Sequence, residues 1–239
     1  MSSSGLAPDS APAAAPVLPA AVLWDMDGTI VDTEPFWMAA EGDLVTSFGG
    51  TWTHEQALTL VGQGLETSAA ILQEAGVRMS VPEIIDTLTA RVQEILDEKG
   101  PPLRPGAVEL LTALSEAGVR CALVTMSLRR MAEQVVSALP SGLFELIVGG
   151  DQVTRPKPFP DAYLQACAGL DIDPATAVAI EDSPTGVRAA VAAGIPTIGV
   201  PLLVSLVGTG AHAVWPTLAG RTPDDIAAFH AAHGAKGRE

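Results

Sequence analysis

Residues 21–33 read Ala21-Val22-Leu23-Trp24-Asp25-Met26-Asp27-Gly28-Thr29-Ile30-Val31-Asp32-Thr33, and this stretch decides the fold. Ala21, Val22, Leu23 and Trp24 form a short apolar run of the kind that makes a strand buried on both faces, and it stops abruptly at two acids and a glycine. In an open α/β sheet, ligands bind in the crevice beyond the carboxyl ends of the strands, so the acids stand where chemistry is expected. Asp25 and Asp27 share one side of an extended chain because side chains alternate with period two. Like charges this close repel, and a divalent cation is the usual remedy. Gly28 allows an immediate turn, and Thr29 offers a hydroxyl. Taken alone, Asp-Met-Asp-Gly serves equally well as a polar turn that merely closes a strand.

Outward from this stretch, the 239-residue chain is long enough for one α/β domain carrying a sizeable insertion. Its formal charge of −15 argues against nucleic acid as a partner. No apolar run reaches the roughly 18 to 20 residues of a membrane span. An anionic substrate would therefore need its own local positive field, from a metal and a placed Lys or Arg. Residues 1–20, mostly Ser, Ala and Pro, lack the basic and apolar regions of a secretory signal and read as a disordered leader. Cys121 and Cys167 have no Cys or His neighbours at metal-binding spacing; buried thiols in a reducing cytoplasm account for them.

After Asp32 and Thr33, Glu34 and Pro35 suit the first turn of a helix, with Pro near its start and an acid near its positive end. Phe36, Trp37, Ala40, Leu44 and Phe48 then recur at helical spacing until Gly49 and Gly50. Helices are predicted over 54–60, 66–74 and 81–98, with no convincing strand among them, before Gly100, Pro101 and Pro102 break the chain. Pro105 and Gly106 open another helix. Strands at 120–125, 146–148, 177–180 and 197–200 then alternate with helices at 128–139, 161–168 and 185–193. This predicts an α/β fold: a Rossmann-like parallel sheet core formed by 21–32 and 101–239, with a small all-helical cap domain inserted at 33–100. Beyond Val200 the pattern is weaker. A short element at 204–210, a terminal helix at 223–230 and a frayed end from residue 231 are expected.

Polar residues collect where successive strands end: Thr125 and Ser127 after Ala122-Leu123-Val124, Lys157 beyond 146–148, and Glu181-Asp182-Ser183 after Val178-Ala179-Ile180. In a parallel sheet these groups face one crevice together with Asp25 and Asp27. Each has an ordinary reading by itself: a strand-end hydroxyl, a solvated lysine, an acidic helix cap. Arg129, Arg130 and His54 read as surface residues.

Together these residues resemble the haloacid dehalogenase superfamily in its phosphatase branch. The four motifs are Asp25-Met26-Asp27-Gly28-Thr29, Thr125, Lys157 within Arg155-Pro156-Lys157-Pro158-Phe159-Pro160, and Glu181-Asp182. The resemblance implies that Asp25 is a nucleophile toward phosphorus and that Asp27 is the general acid and base. It also implies Mg2+, held by the Asp25 carboxylate, the Asp27 backbone carbonyl and Asp182, with Glu181 as an additional or water-mediated contact. Lys157 and the Thr125 hydroxyl would hold phosphoryl oxygens, helped by backbone amides of Met26, Asp27 and Met126. The family's dehalogenases lack an acid two positions after the nucleophile, whereas Asp27 stands there in this chain.

A helical insertion after the first motif resembles the cap of the β-phosphoglucomutase-like subfamily. Asp32-Thr33-Glu34-Pro35-Phe36-Trp37 is similar to the corresponding segment of bacterial sugar-phosphate phosphatases acting on hexitol phosphates and 2-deoxyglucose 6-phosphate. This implies a magnesium-dependent phosphatase working on a small phosphorylated metabolite, a sugar or polyol phosphate. Glu34, Trp37, Gly62 and Gln63 are the candidate cap contacts with the substrate. An isomerase of the β-phosphoglucomutase type is the alternative, but its pattern has His where Trp37 stands and Arg where Leu65 aligns. A third reading is a non-catalytic phosphosugar-binding protein. A cytoplasmic monomer is expected.

Overall fold

The computed structural model describes residues 17–234. Most of the expected leader therefore lies outside the described residues. Six parallel strands form one sheet: β1 (Ala21–Trp24), β2 (Arg120–Val124), β3 (Leu146–Val148), β4 (Ala177–Glu181), β5 (Thr197–Gly199) and β6 (Ala213–Val214). Their spatial order is β3-β2-β1-β4-β5-β6. β1 is central: Trp24 stands level with Leu123 of β2 on one side and Ile180 of β4 on the other. Chain order runs away from β1 in both directions, so a crevice opens beyond its carboxyl end, where Asp25 follows.

Period-two alternation divides β1 between two hydrophobic clusters, one on each face. Val22 and Trp24 join Leu110, Leu111 and Leu114 of α5 (Ala107–Glu116) and residues of the helical insertion. Ala21 and Leu23 pack with Ala162, Tyr163 and Ala166 on the opposite side. Burial on both faces is why the strand reads as an unbroken apolar run.

Between β1 and α5 the chain forms α1 (Glu34–Ser47), α2 (His54–Leu58), α3 (Leu65–Glu74) and α4 (Val81–Lys99). These are the four helices expected there, with ends within two residues of the sequence reading. The remaining helices are α6 (Arg129–Ser137), α7 (Asp161–Gly169), α8 (Pro184–Ala192) and α9 (Pro223–His233). Arg130 and Gln134 of α6 bind Asp86 at 2.8 Å and Asp97 at 2.6 Å, both on α4, so the insertion is tied to the sheet region through side chains. Arg130 is an exposed helix residue, as read, and makes this contact at the surface. Arg129 stays on its own side: its guanidinium pairs with Glu133, and its backbone amide donates to Asp151.

Three expectations change near the carboxyl terminus. Residues 204–210 form no helix or strand: Gly208 and Gly210 adopt φ of 76° and 93°, which favours a turn. The last strand is instead β6, two half-exposed residues whose pairing with Ile198 and Gly199 alone defines it. α9 runs through His233 rather than fraying at 231, because Phe229 stacks on the His233 ring at 4.5 Å.

Candidate active site

Lys157 is the hub of the crevice. Its Nζ donates to Asp25 Oδ1 at 2.7 Å, to Glu181 Oε1 at 2.6 Å and to the Val124 carbonyl at 2.9 Å. Three strands thereby converge on one ammonium: Asp25 follows β1, Val124 ends β2 and Glu181 ends β4. Burial by itself would lower the Lys157 pKa, but the charges of Asp25 and Glu181 outweigh it and hold the ammonium above its ordinary value.

The acids outnumber it. Asp25, Glu181 and Asp182 each present an oxygen within 4.8 Å of the others. Against one ammonium, three ionised carboxylates leave two negative charges in a buried space. Burial first, and then the charge of Glu181, pushes Asp25 up to about 7. Burial and the neighbouring Asp25 raise Asp182 as well.

Asp25 Oδ2 is buried with no hydrogen-bond partner, and the Asp182 carboxylate accepts no hydrogen bond from any described residue. Unpartnered carboxylate oxygens in an excess of negative charge fit a hard divalent cation. Glu181 is different. Its Oε1 also accepts from Tyr163 Oη at 2.8 Å, and its Oε2 accepts from the Ser183 amide and hydroxyl at 3.3 and 3.1 Å. It thus fixes Lys157 while keeping an oxygen within 4.8 Å of those of Asp25 and Asp182. Gly28 is required beside it, because a Cβ there would lie 2.0 Å from Asp182 Oδ2, at a φ of 83°.

Asp27 faces the same crevice but a different set of partners. Its Oδ2 accepts from Ser127 Oγ at 2.7 Å and Thr125 Oγ1 at 3.3 Å, and its Oδ1 accepts from Thr33 Oγ1. Thr33 occupies the cap position of α1 yet gives its hydroxyl to Asp27 rather than to the helix. Thr125 also accepts from the Ser127 amide at 3.0 Å, so its side chain orients Asp27 and the following loop at once. The amides of Met26, Asp27 and Met126 donate to no acceptor among the described residues. Three free N–H groups beside the carboxylate pair make the kind of cradle that phosphoryl oxygens need. Thr29, by contrast, is fully buried and does not line the crevice.

The helices between β1 and α5 and the loops joining them supply part of the cavity wall. Glu34, Trp37, Gly62 and Gln63 all line it, as does Leu65. Thr185 Oγ1 donates to the Gly62 carbonyl at 2.8 Å, joining the α2–α3 loop to the start of α8 across the rim. Sequence reasoning placed Ser127 at the crevice without giving it a role, and it missed Thr33, Tyr163 and Glu41. Ser127, two residues after Thr125, carried a signal. The others carried none, since their roles depend on partners far along the chain.

Glu41 is 5 % exposed, lines the same cavity and accepts from Trp52 Nε1 at 3.4 Å. Burial, with help from Glu34, pushes its carboxyl up to about 8 from an ordinary 4.5. A raised carboxyl pKa means that the folded chain holds this proton more tightly than the unfolded one. The stability it confers is complete below about 4.5 and is lost as pH rises through about 8. Glu41→Gln carries no charge at any pH and keeps the shape. It should melt above the parent at about pH 9, and within roughly 2 °C of it at about pH 5. Paired calorimetric scans at the two pH values check this.

With this geometry described, its relatives can be compared. Residues 22–200 match the family model described as haloacid dehalogenase-like hydrolase. CbbY of Rhodobacter capsulatus is 33% identical over 192 residues, covering 76% of this chain and 85% of that protein. Hexitol phosphatase B of Escherichia coli is 31% identical over 188 residues, covering 76% and 83%. The solved structure of a CbbY mutant from Rhodobacter sphaeroides with xylulose-(1,5)bisphosphate superposes with a TM-score of 0.77 at 28% identity, covering 85% of this chain and 96% of that one. The matched stretch spans the sheet from β1 to β5 and so three quarters of the sequence: the chain belongs to the haloacid dehalogenase-like hydrolase family.

Proposed function

We propose that this protein is a magnesium-dependent phosphatase that hydrolyses small phosphomonoesters of sugars or polyols through a phosphorylated Asp25. As a phosphoric monoester hydrolase it needs a nucleophile, an acid for the leaving group and a positive surround for the phosphoryl oxygens. The observation that carries the reading is Asp25 itself: one carboxylate oxygen is fixed by Lys157, and the other is buried with no partner.

In the first step an Asp25 oxygen attacks phosphorus while the ester P–O bond breaks and the Asp27 carboxyl gives its proton to the departing alkoxide. In the second, Asp27 takes a proton from water as the water oxygen attacks the same phosphorus. The Asp25–phosphorus bond breaks and inorganic phosphate leaves. Ser127, Thr125 and Thr33 hold Asp27 toward the crevice through both steps. Lys157 and the free amides of Met26, Asp27 and Met126 accept the negative charge that builds on the phosphoryl oxygens.

Asp25, Asp182 and the Asp27 carbonyl would hold magnesium, with Glu181 as an additional or water-mediated contact. When bound, the ion supplies charge neutralisation between Asp25 and the incoming phosphate. The helical insertion, acting as a cap over residues 33–100, excludes water and contacts the leaving group through Glu34, Trp37, Gly62 and Gln63.

Incubation with hexitol 6-phosphates and 2-deoxyglucose 6-phosphate in magnesium should release inorganic phosphate, and chelation with EDTA should stop the release until magnesium is restored. Conversion of β-glucose 1-phosphate to the 6-phosphate without phosphate release would replace this reading with an isomerase. Tight binding with no turnover would replace it with a binding protein.

A further inference from the structure

Glu34, Trp37 and Glu41 stand at positions i, i+3 and i+7 of α1, and so on one face, and that face lines the cavity. Lys157 is the one Lys or Arg among the residues lining the cavity, and its three hydrogen bonds are all taken by Asp25, Glu181 and Val124. The wall formed by α1 thus carries carboxyl groups and no Lys or Arg.

These groups also lack partners. Glu41 is 5 % exposed and receives one long hydrogen bond, from Trp52 to Oε2; its Oε1 has no partner among the described residues. Glu34 makes no hydrogen bond or ion pair among them, and the buried Ser68 hydroxyl on α3 makes no side-chain hydrogen bond there either. A carboxyl group buried beside a second one destabilises the fold, and an apolar side chain would fill the same place more stably. Its open acceptor positions point to a ligand that supplies donors.

We propose that Glu41, with Glu34, makes the leaving-group end of this cavity select a neutral polyhydroxylated group and reject a second anion. Hydroxyls satisfy the open carboxylate oxygens. Once Glu41 is ionised, above about pH 8, a carboxylate or second phosphate there would meet like charge with no Lys or Arg on that wall. The inference rests on the phosphatase reading above and adds to it the charge of the group that leaves.

A matched pair of probes tests it: glucitol 6-phosphate and 6-phosphogluconate differ at the distal carbon, a hydroxymethyl in one and a carboxylate in the other. Phosphate release from p-nitrophenyl phosphate reports the chemistry of the site independently of that end. At about pH 9, where Glu41 is ionised, the expected result is a kcat/KM for glucitol 6-phosphate about 100-fold or more above that for 6-phosphogluconate. Glu41→Gln should shrink this ratio by about tenfold or more, because an amide no longer repels the carboxylate. A ratio near one in the parent enzyme, with p-nitrophenyl phosphate still turned over, overturns the inference and leaves the phosphatase reading standing. An undiminished ratio in a folded Glu41→Gln overturns the role of Glu41. Failure to release phosphate from all three probes overturns both.

Discussion

Asp25→Asn is expected to lower kcat for phosphate release by about 10⁴-fold or more, because it removes the atom that forms the bond to phosphorus. The substitution is nearly isosteric, and the side-chain oxygen can still accept from Lys157, so the loss should come without collapse of the site. It also removes one of three carboxylates crowded around a single ammonium. The melting temperature of Asp25→Asn should therefore match or exceed that of the parent. A variant that retains more than about a tenth of parental kcat would remove Asp25 from the proposed chemistry.

Lys157→Met should do the opposite, damaging stability and activity together. The ammonium is buried, and its removal leaves Asp25 and Glu181 facing each other without a counter-charge. Breaking a buried ion pair from one side costs about 3–5 kcal/mol, which in a domain of this size lowers the melting temperature by roughly 10 °C. The same change removes positive charge from the position where phosphoryl oxygens would sit, for a further loss in kcat of about 10²-fold or more. Adding Glu181→Gln should restore part of the stability, because one stranded carboxylate becomes neutral, but none of the activity. Urea titrations of the two single variants and the double variant measure that coupling directly. Simple additivity would mean that the contacts of Lys157 with Glu181 contribute nothing as a pair.

How much of this was legible before folding depends on how local each signal is. β1 and the two acids after it were readable because a strand buried on both faces must be an apolar run, and a run must end somewhere. α4 was readable almost to its ends, bounded by Pro82 at its start and Gly100 after its last residue. β6 was not, because two half-exposed residues become a strand only through pairing with β5. Thr33 was read as part of a helix start, and the fold spends its hydroxyl on Asp27 instead. Glu181 was read as an additional or water-mediated contact for a metal, and only the fold adds its hydrogen bonds with Lys157, Tyr163 and Ser183.

The amino-acid order by itself determined the alternation of strands and helices, the position of the insertion and the identity of the acids, hydroxyl and lysine at the strand ends. Those are properties of short segments, written in the spacing of apolar residues and in where each run stops. Only the tertiary structure decided which group serves which. Asp25 meets Lys157 across 132 positions of chain, and Asp27 meets Ser127 across 100, while Glu41 becomes a cavity wall solely because its helix is folded back over the crevice. Hydrogen bonds and charges act over a few ångströms, so their pattern is set by which distant residues packing brings together.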